Sequence, residues 1–299
     1  MVMSMTKNTA GYKFLKKFIN LREKSPLLVT QTITGYLSKI KGVNVDIIKP
    51  NTESLIYKFF GSHSYIVHIS YNNKLTKKIL IGKGVCYDSG GYNIKQNMST
   101  MHYDKNGALL SIAASLDTKT DCAVFFVNNL VLPGSVVSGE ILMEPATGLK
   151  ILIEDTDAEG RIGLADLLAR FNYYDSVLTI ATLTGAAVQV TGERTYALVH
   201  SNKPDDYHKL IDLYLKGLKL YPAPTHKEYN DSIDSKVKGA DIINLPSYRG
   251  AGSSIAFSFL KRFWKGHQLH LDIAGMMLDK NHNGLVWGIE EVTELLKIL

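Results

Sequence analysis

Apolar positions recur every three to four residues across 11–21, with Phe14, Leu15, Phe18 and Ile19 on one side, and this spacing predicts an amphipathic helix. After Lys24-Ser25-Pro26, residues 27–40 predict a second helix, with Thr30 as its candidate cap. Two runs rich in Ile, Tyr, Val and Phe, 54–60 and 63–71, predict strands joined at Gly61. Residues 40–80 thus read as antiparallel hairpins at the edge of a sheet. Lys78 to Gly82 predicts a buried strand that stops at glycine, followed by a loop through Gly84, Gly90 and Gly91. A small-sided helix is expected at 106–116, and strands at 122–128, 135–143 and 150–154. The 3.6-residue period returns from Ala158 to Phe171. A strand over 176–183 then ends at Thr184-Gly185. Helices near 205–217, 226–237 and 251–265 and a strand at 268–273 complete the pattern.

Strands alternating with helices argue for an α/β fold: a central mixed, largely buried β-sheet flanked by helices on both faces. With no repeat, linker or internal boundary in sight, residues 1–299 are expected to form one domain, 1–40 as leading helices and 41–299 as the sheet core. Composition alters little: 45% of residues are hydrophobic and 21% charged. No run approaches the roughly 18 apolar residues that a membrane span requires. The net charge of +6 is spread along the chain without aromatic interleaving, which speaks against nucleic acid as a partner. Cys86 and Cys122 have no CxxC partner, so they fit a reducing compartment better than a disulfide framework or cysteine–zinc site. The expected location is the cytoplasm. The first 22 residues carry Lys7, Lys13, Lys16, Lys17 and Arg22 without an acid, so an organelle presequence stands as the alternative to a basic amphipathic helix.

Two segments concentrate polar chemistry. In the second, Asp155-Thr156-Asp157-Ala158-Glu159-Gly160-Arg161, alternating acids follow an apolar strand and precede a helix. Oxygens converging at such a junction suit divalent cations, yet Asp155 or Asp157 could equally cap the helix. In the first, Lys83 sits between Gly82 and Gly84, and Asp88-Ser89-Gly90-Gly91 leads on to Lys95 and Asp104. No GxxxxGK or GxGxxG frame is present, which counts against a phosphate loop. Ser89 lacks a His-Asp arrangement, Cys86 reads as packing, His102 and His270 as ordinary histidines, and Met276-Met277 as core.

The joint spacing resembles the leucyl (cytosol) aminopeptidase family. Gly82-Lys83-Gly84, Asp88-Ser89-Gly90-Gly91, Lys95, Tyr103-Asp104, Gly107-Ala108 and the hexapeptide Thr156–Arg161 carry the resemblance. Ala181–Ala186, Glu228-Tyr229, Ala240–Asn244, Gly250–Gly252 and His270–Gly275 extend it. It implies a metal-dependent aminopeptidase that removes a bulky apolar, leucine-like N-terminal residue from peptides through a hydroxide shared by two metals. Lys83, Asp88, Asp104 and Glu159 would hold one metal, and Asp88, Asp157 and Glu159 the other. Zinc, manganese and magnesium all suit such ligands. Lys95 would polarise the scissile carbonyl, and Arg161 would anchor bicarbonate as proton shuttle. Met101, Thr182, Leu183 and Gly185 would contact the substrate, Leu183 through its carbonyl. The resemblance further implies a homohexamer acting on peptides with a free N-terminus. The alternative is a catalytically silent paralogue serving as a structural subunit.

Some positions depart from the family pattern. The loop from Lys95 to Asp104 is shorter than usual by about two residues, and His102 stands where lysine is common. Lys105-Asn106 replaces Met and a small residue, so that Lys105 either alters metal affinity or points outward. Only 82 residues precede Lys83 where relatives carry a separate N-terminal domain, which is therefore expected to be missing.

Overall fold

The computed structural model describes residues 8–71, 77–96, 98–248 and 250–299. Residues 1–7, and with them Lys7 and the start of the possible presequence, lie outside the described residues.

The strands are β1 (Asn44–Ile48), β2 (Tyr65–Ser70), β3 (Lys78–Gly82), β4 (Val85–Asp88), β5 (Asp121–Asn129), β6 (Ile141–Met143), β7 (Lys150–Leu152), β8 (Ser176–Ala181), β9 (Ala197–Ser201), β10 (Leu220–Pro222), β11 (Ile242–Ile243) and β12 (His267–Asp272). The helices are α1 (Ala10–Phe18), α2 (Pro26–Leu37), α3 (Leu55–Phe60), α4 (Asn106–Thr118), α5 (Gly160–Arg170), α6 (Gly185–Thr191), α7 (Asp206–Leu215), α8 (Lys227–Ser232), α9 (Gly252–Leu260) and α10 (Ile289–Ile298).

The main sheet runs β1-β2-β5-β3-β8-β12-β9-β10, with β4 pairing on β5. Its centre is parallel: β3 lies between β5 and β8, and β8 pairs with β12. β1 and β2 are antiparallel at one edge, and β9 runs antiparallel to β12. The expected mixed sheet is therefore present. β8 and β12 are buried at every position, as strands covered on both faces must be. One apolar cluster packs α1, α2, α4, α7 and α10 against one face, and a second packs α3, α5 and α9 against the other. A small separate sheet runs β11-β7-β6, and the acidic segment 155–161 follows its strand β7. No described helix is long and apolar enough to cross a membrane.

Local chemistry explains the helix starts. Thr9 accepts from the Tyr12 amide and Ser25 from the Leu28 amide, with Pro26 as the first residue of α2. The expected cap, Thr30, instead lies inside α2. Phe14, Leu15, Phe18 and Ile19 are buried, as their spacing predicts.

Four expectations are corrected. Residues 54–60 form a helix, not a strand: Ser54 caps it, and the Asp166 carboxylate accepts from the Leu55 amide at 2.9 Å. Tertiary context overrides the β-propensity of Ile, Tyr and Phe there, and β2 pairs instead with β1 and β5. The run 135–143 is strand only at 141–143, because Gly139 turns the chain at a φ of +95°. Helix 226–237 shortens to α8, and β4, β9, β10 and α10 had no distinct pattern of their own.

Candidate metal centre

Strands β3, β8 and β12 are parallel, so the segments leaving them emerge along one edge of the sheet, where ligands of α/β sheets usually bind. These segments surround a cavity of about 350 Å³. Lys83, Asp88, Lys95, Asp104, Asp157, Glu159 and Arg161 line it together with Met101, Thr182, Leu183 and Gly185. Every residue to which the resemblance gives a metal, catalytic or substrate role thus lines one cavity.

Lys83 follows β3 directly. Its ammonium lies 2.8 Å from Asp104 Oδ2, 2.8 Å from Glu159 Oε1 and 2.9 Å from the Thr182 carbonyl. Asp88 closes β4 and accepts from the Gly90 amide at 2.8 Å. Asp104 precedes α4 and also accepts from the Thr182 hydroxyl. Among the described residues, Asp88, Asp104 and Glu159 form the one buried trio whose ligand atoms lie within 4.8 Å of one another. Asp157 stands apart, paired with Lys95, which also lies 3.1 Å from Asp88.

The capping explanation for the acids fails. Helix α5 begins at Gly160, and its cap residue, Glu159, makes no side-chain capping bond. Asp155 accepts from the Asp157 amide at 2.7 Å and stays within its own turn. Gly160 matters for another reason: a Cβ there would sit 2.7 Å from Lys83 Cε and push the end of the lysine aside. The glycine therefore lets the lysine run beneath the helix start to the carboxylates.

Asn93 and Asn129 hold the two segments together and Asn244 braces the second from the end of β11, and sequence reasoning assigned a role to none of the three. Asn129 donates to Asp88 Oδ1 at 2.8 Å and to the Thr156 carbonyl at 3.0 Å. The Asn93 amide donates to the Thr156 hydroxyl, and Asn93 Oδ1 accepts from the Thr156 amide. Asn244 accepts from the Glu154 amide, donates to the Asp155 carbonyl, and takes Arg161 on its own carbonyl at 2.5 Å. An asparagine at a strand end looks like any turn residue in a sequence, so no signal could have found them.

The electrostatics are those of an acid-rich buried site. Burial opposes the charge on Lys83, but Asp104, Glu159 and Asp88 outweigh it and hold the ammonium above the ordinary lysine range. Lys95 behaves likewise, burial being overcome by Asp88, Glu159 and Asp157. Burial pushes Asp157 up to about 6 against the pull of Lys95, and Glu159 is raised by burial and by Asp88. Burial lowers Arg161 to about 10, which leaves it charged at neutral pH, and its Nε has no hydrogen-bond partner among the described residues. Five carboxylates, Asp88, Asp104, Asp155, Asp157 and Glu159, thus line the cavity with three cationic groups, Lys83, Lys95 and Arg161, an acidic excess that divalent cations would neutralise. The donor set fits hard or borderline metals.

Other candidates fall away or change. Cys86 is buried, with its thiol pushed up to about 12, and Ser89 donates to the Asn129 carbonyl. His270 meets Thr179, and His102 packs on Tyr103. Met276 is core, but Met277 lines the cavity beside Ala274, because the chain turns sharply after β12. Lys105 does not point outward. It is wholly buried, its ammonium donates to the His102 carbonyl, and burial pushes it down to about 8 against the pull of Cys86 and Asp104.

Replacing Lys105 by methionine should therefore stabilise the protein at pH 7 by about 1–3 kcal/mol, the cost of a buried charge less one hydrogen bond. The unfolded lysine titrates near 10.5 and the folded one near 8. The cost is therefore full below pH 8 and is relieved as pH rises towards 10.5. Denaturant unfolding at pH 7 and pH 10 should show the gap between variant and parent closing. An equal gap at both values would refute the assignment.

Comparison with known proteins agrees with this picture. Residues 45–290 match the cytosol aminopeptidase family, catalytic domain. A probable cytosol aminopeptidase of Campylobacter jejuni is 34% identical over 229 residues, covering 70% of this chain and 46% of the relative. One from Nostoc punctiforme is 34% identical over 286 residues, covering 87% and 57%. The chain spans about half the length of the curated relatives it matches. The leucyl aminopeptidase of Leishmania major, solved in complex with actinonin, superposes with a TM-score of 0.81 over 93% of this chain and 59% of that one. At 24% identity, that likeness speaks to the fold.

Proposed function

The chain belongs to the cytosol aminopeptidase family, and from that premise we propose that it is a metal-dependent aminopeptidase removing a bulky apolar, leucine-like residue from the N-terminus of peptides. One observation carries the reading: an acid-rich, buried cage, Lys95 and Arg161 share a single cavity with an apolar-sided wall. A purely structural role gives no reason to bury that excess of charge.

Asp88, Asp104 and Glu159 with Lys83 would hold one divalent ion, and Asp88, Asp157 and Glu159 a second. Ions held there would supply Lewis acidity and a water acidified to near neutrality. The chain's own residues do the rest. Lys95, charged and a quarter exposed, reaches the cavity from the loop after β4 and can donate to a carbonyl oxygen as it gains negative charge. Arg161 offers a fixed cation with a free Nε, suited to a small oxyanion such as bicarbonate. Met101, Met277, Thr182, Leu183 and Gly185 give the first side chain an apolar surface, which favours leucine over small or charged residues. On the same reading the protein acts as one catalytic domain and as a homohexamer in the cytoplasm, and these last features rest on family membership alone.

Leucine p-nitroanilide tests the proposal. Turnover should be stopped by EDTA and restored by Mn²⁺ or Zn²⁺. Absence of turnover across a panel of first residues at saturating metal would reject it.

A further inference from the structure

The segment His270–Gly275 was singled out in the sequence, yet the metal chemistry uses none of it. At its centre, Asp272 ends β12, where it is paired with Ala181 of β8 and Leu198 of β9. It is fully buried and makes no ion pair among the described residues. Its carboxylate is instead saturated by neutral donors. Oδ1 accepts from the amides of Leu183 at 3.0 Å, Thr184 at 3.4 Å and Ala274 at 3.3 Å. Oδ2 accepts from the hydroxyls of Thr184 at 2.7 Å and Ser253 at 2.9 Å. Since the Ser253 proton goes to Asp272, His200 Nε2, 2.9 Å from the same oxygen, must be the donor on that side.

These donors come from three separate segments: the turn after β8, the turn after β12 and the first turn of α9. Each also supplies lining to the cavity: Leu183, Thr184 and Gly185 from the first, Ala274 and Met277 from the second, Gly252 from the third. Short turns make few contacts of their own that could fix their relative positions. Here one anion does so, through charge-assisted hydrogen bonds stronger than neutral ones.

We infer that Asp272 is a positioning residue for specificity: it ties together the three turns that form the wall against which the substrate's first side chain packs. The inference rests on the aminopeptidase reading for its substrate but not for its structural content. Asp272→Asn keeps the shape and removes the charge. Its amide oxygen can still serve the backbone amides, while the two hydroxyls must turn to accept from its NH₂ group. The fold should survive, and the three turns should loosen.

Two measurements test this. By hydrogen exchange, peptides covering 182–187 and 273–278 should exchange about tenfold faster in Asp272→Asn, with α1 and β5 unchanged. In turnover, the preference for leucine over alanine anilide should shrink by about tenfold, since a pocket discriminates methyl groups only while its wall is fixed. A merely structural role would lower both substrates equally. Unchanged exchange in both turns, or an unchanged leucine-to-alanine ratio in an active protein, overturns the inference. A parent protein inactive on both substrates defeats the aminopeptidase reading instead, and exchange still decides the role of Asp272. If Asp272→Asn does not fold, Ser253→Ala removes a single bond to the same carboxylate. It should show the same changes at smaller size, and their absence there is equally fatal.

Discussion

Replacing Glu159 by alanine is expected to lower kcat/KM for leucine anilide by about a thousandfold or more, equivalent to roughly 4 kcal/mol of barrier. Glu159 is 1% exposed, stands at the start of α5, and faces Lys83 at 2.8 Å, within reach of both Asp88 and Asp104. On the proposed assignment it is shared by both ions, so its loss should empty the site and not merely weaken it. Metal content measured by mass spectrometry should fall together with activity. With both proteins stripped of metal, thermal stability should not fall, because one of several mutually repelling buried carboxylates has gone. A variant that keeps both its ions and its activity would end the metal-cage reading.

Lys95→Met should behave differently. Here kcat is expected to drop by about 100- to 1000-fold, the usual effect of removing one donor to a developing oxyanion. KM should change little, and metal content not at all. Lys95 pairs with Asp88 and Asp157 while its side chain retains 23% exposure, and an ammonium with three donors can serve a substrate oxygen as well as the acids. A raised KM with an unchanged kcat would make Lys95 a ground-state binding residue instead.

The order of helices and strands was legible wherever periodicity was long. β8 follows from its apolar-rich run, β12 from its alternating leucines and α5 from a clear 3.6-residue period. Short elements were not: α3 and a β-strand share one composition over 54–60, and only Ser54 with the distant Asp166 decides between them. The acidic segment alone was ambiguous between a cap and a cage. The structure removes the cap, since α5 starts two residues later than the period suggests and Glu159 makes no side-chain capping bond. Lys105 misled because burial of a lysine is rare enough that an outward direction is the natural expectation. Asn93, Asn129, Asn244 and Asp272 were illegible for one shared reason. Each works through partners far away in the chain, and spacing cannot announce those.

Strand β12 enters the sheet between β8 and β9, with every residue buried. In a chain made from its N-terminus, β8 and β9 are therefore finished long before the strand that separates them. Until His267–Asp272 leaves the ribosome, two apolar edges stand open side by side, free to pair wrongly with each other or with a neighbouring nascent chain. The three turns that bond Asp272 are consequently brought together late in synthesis, after every other strand of the main sheet has been made.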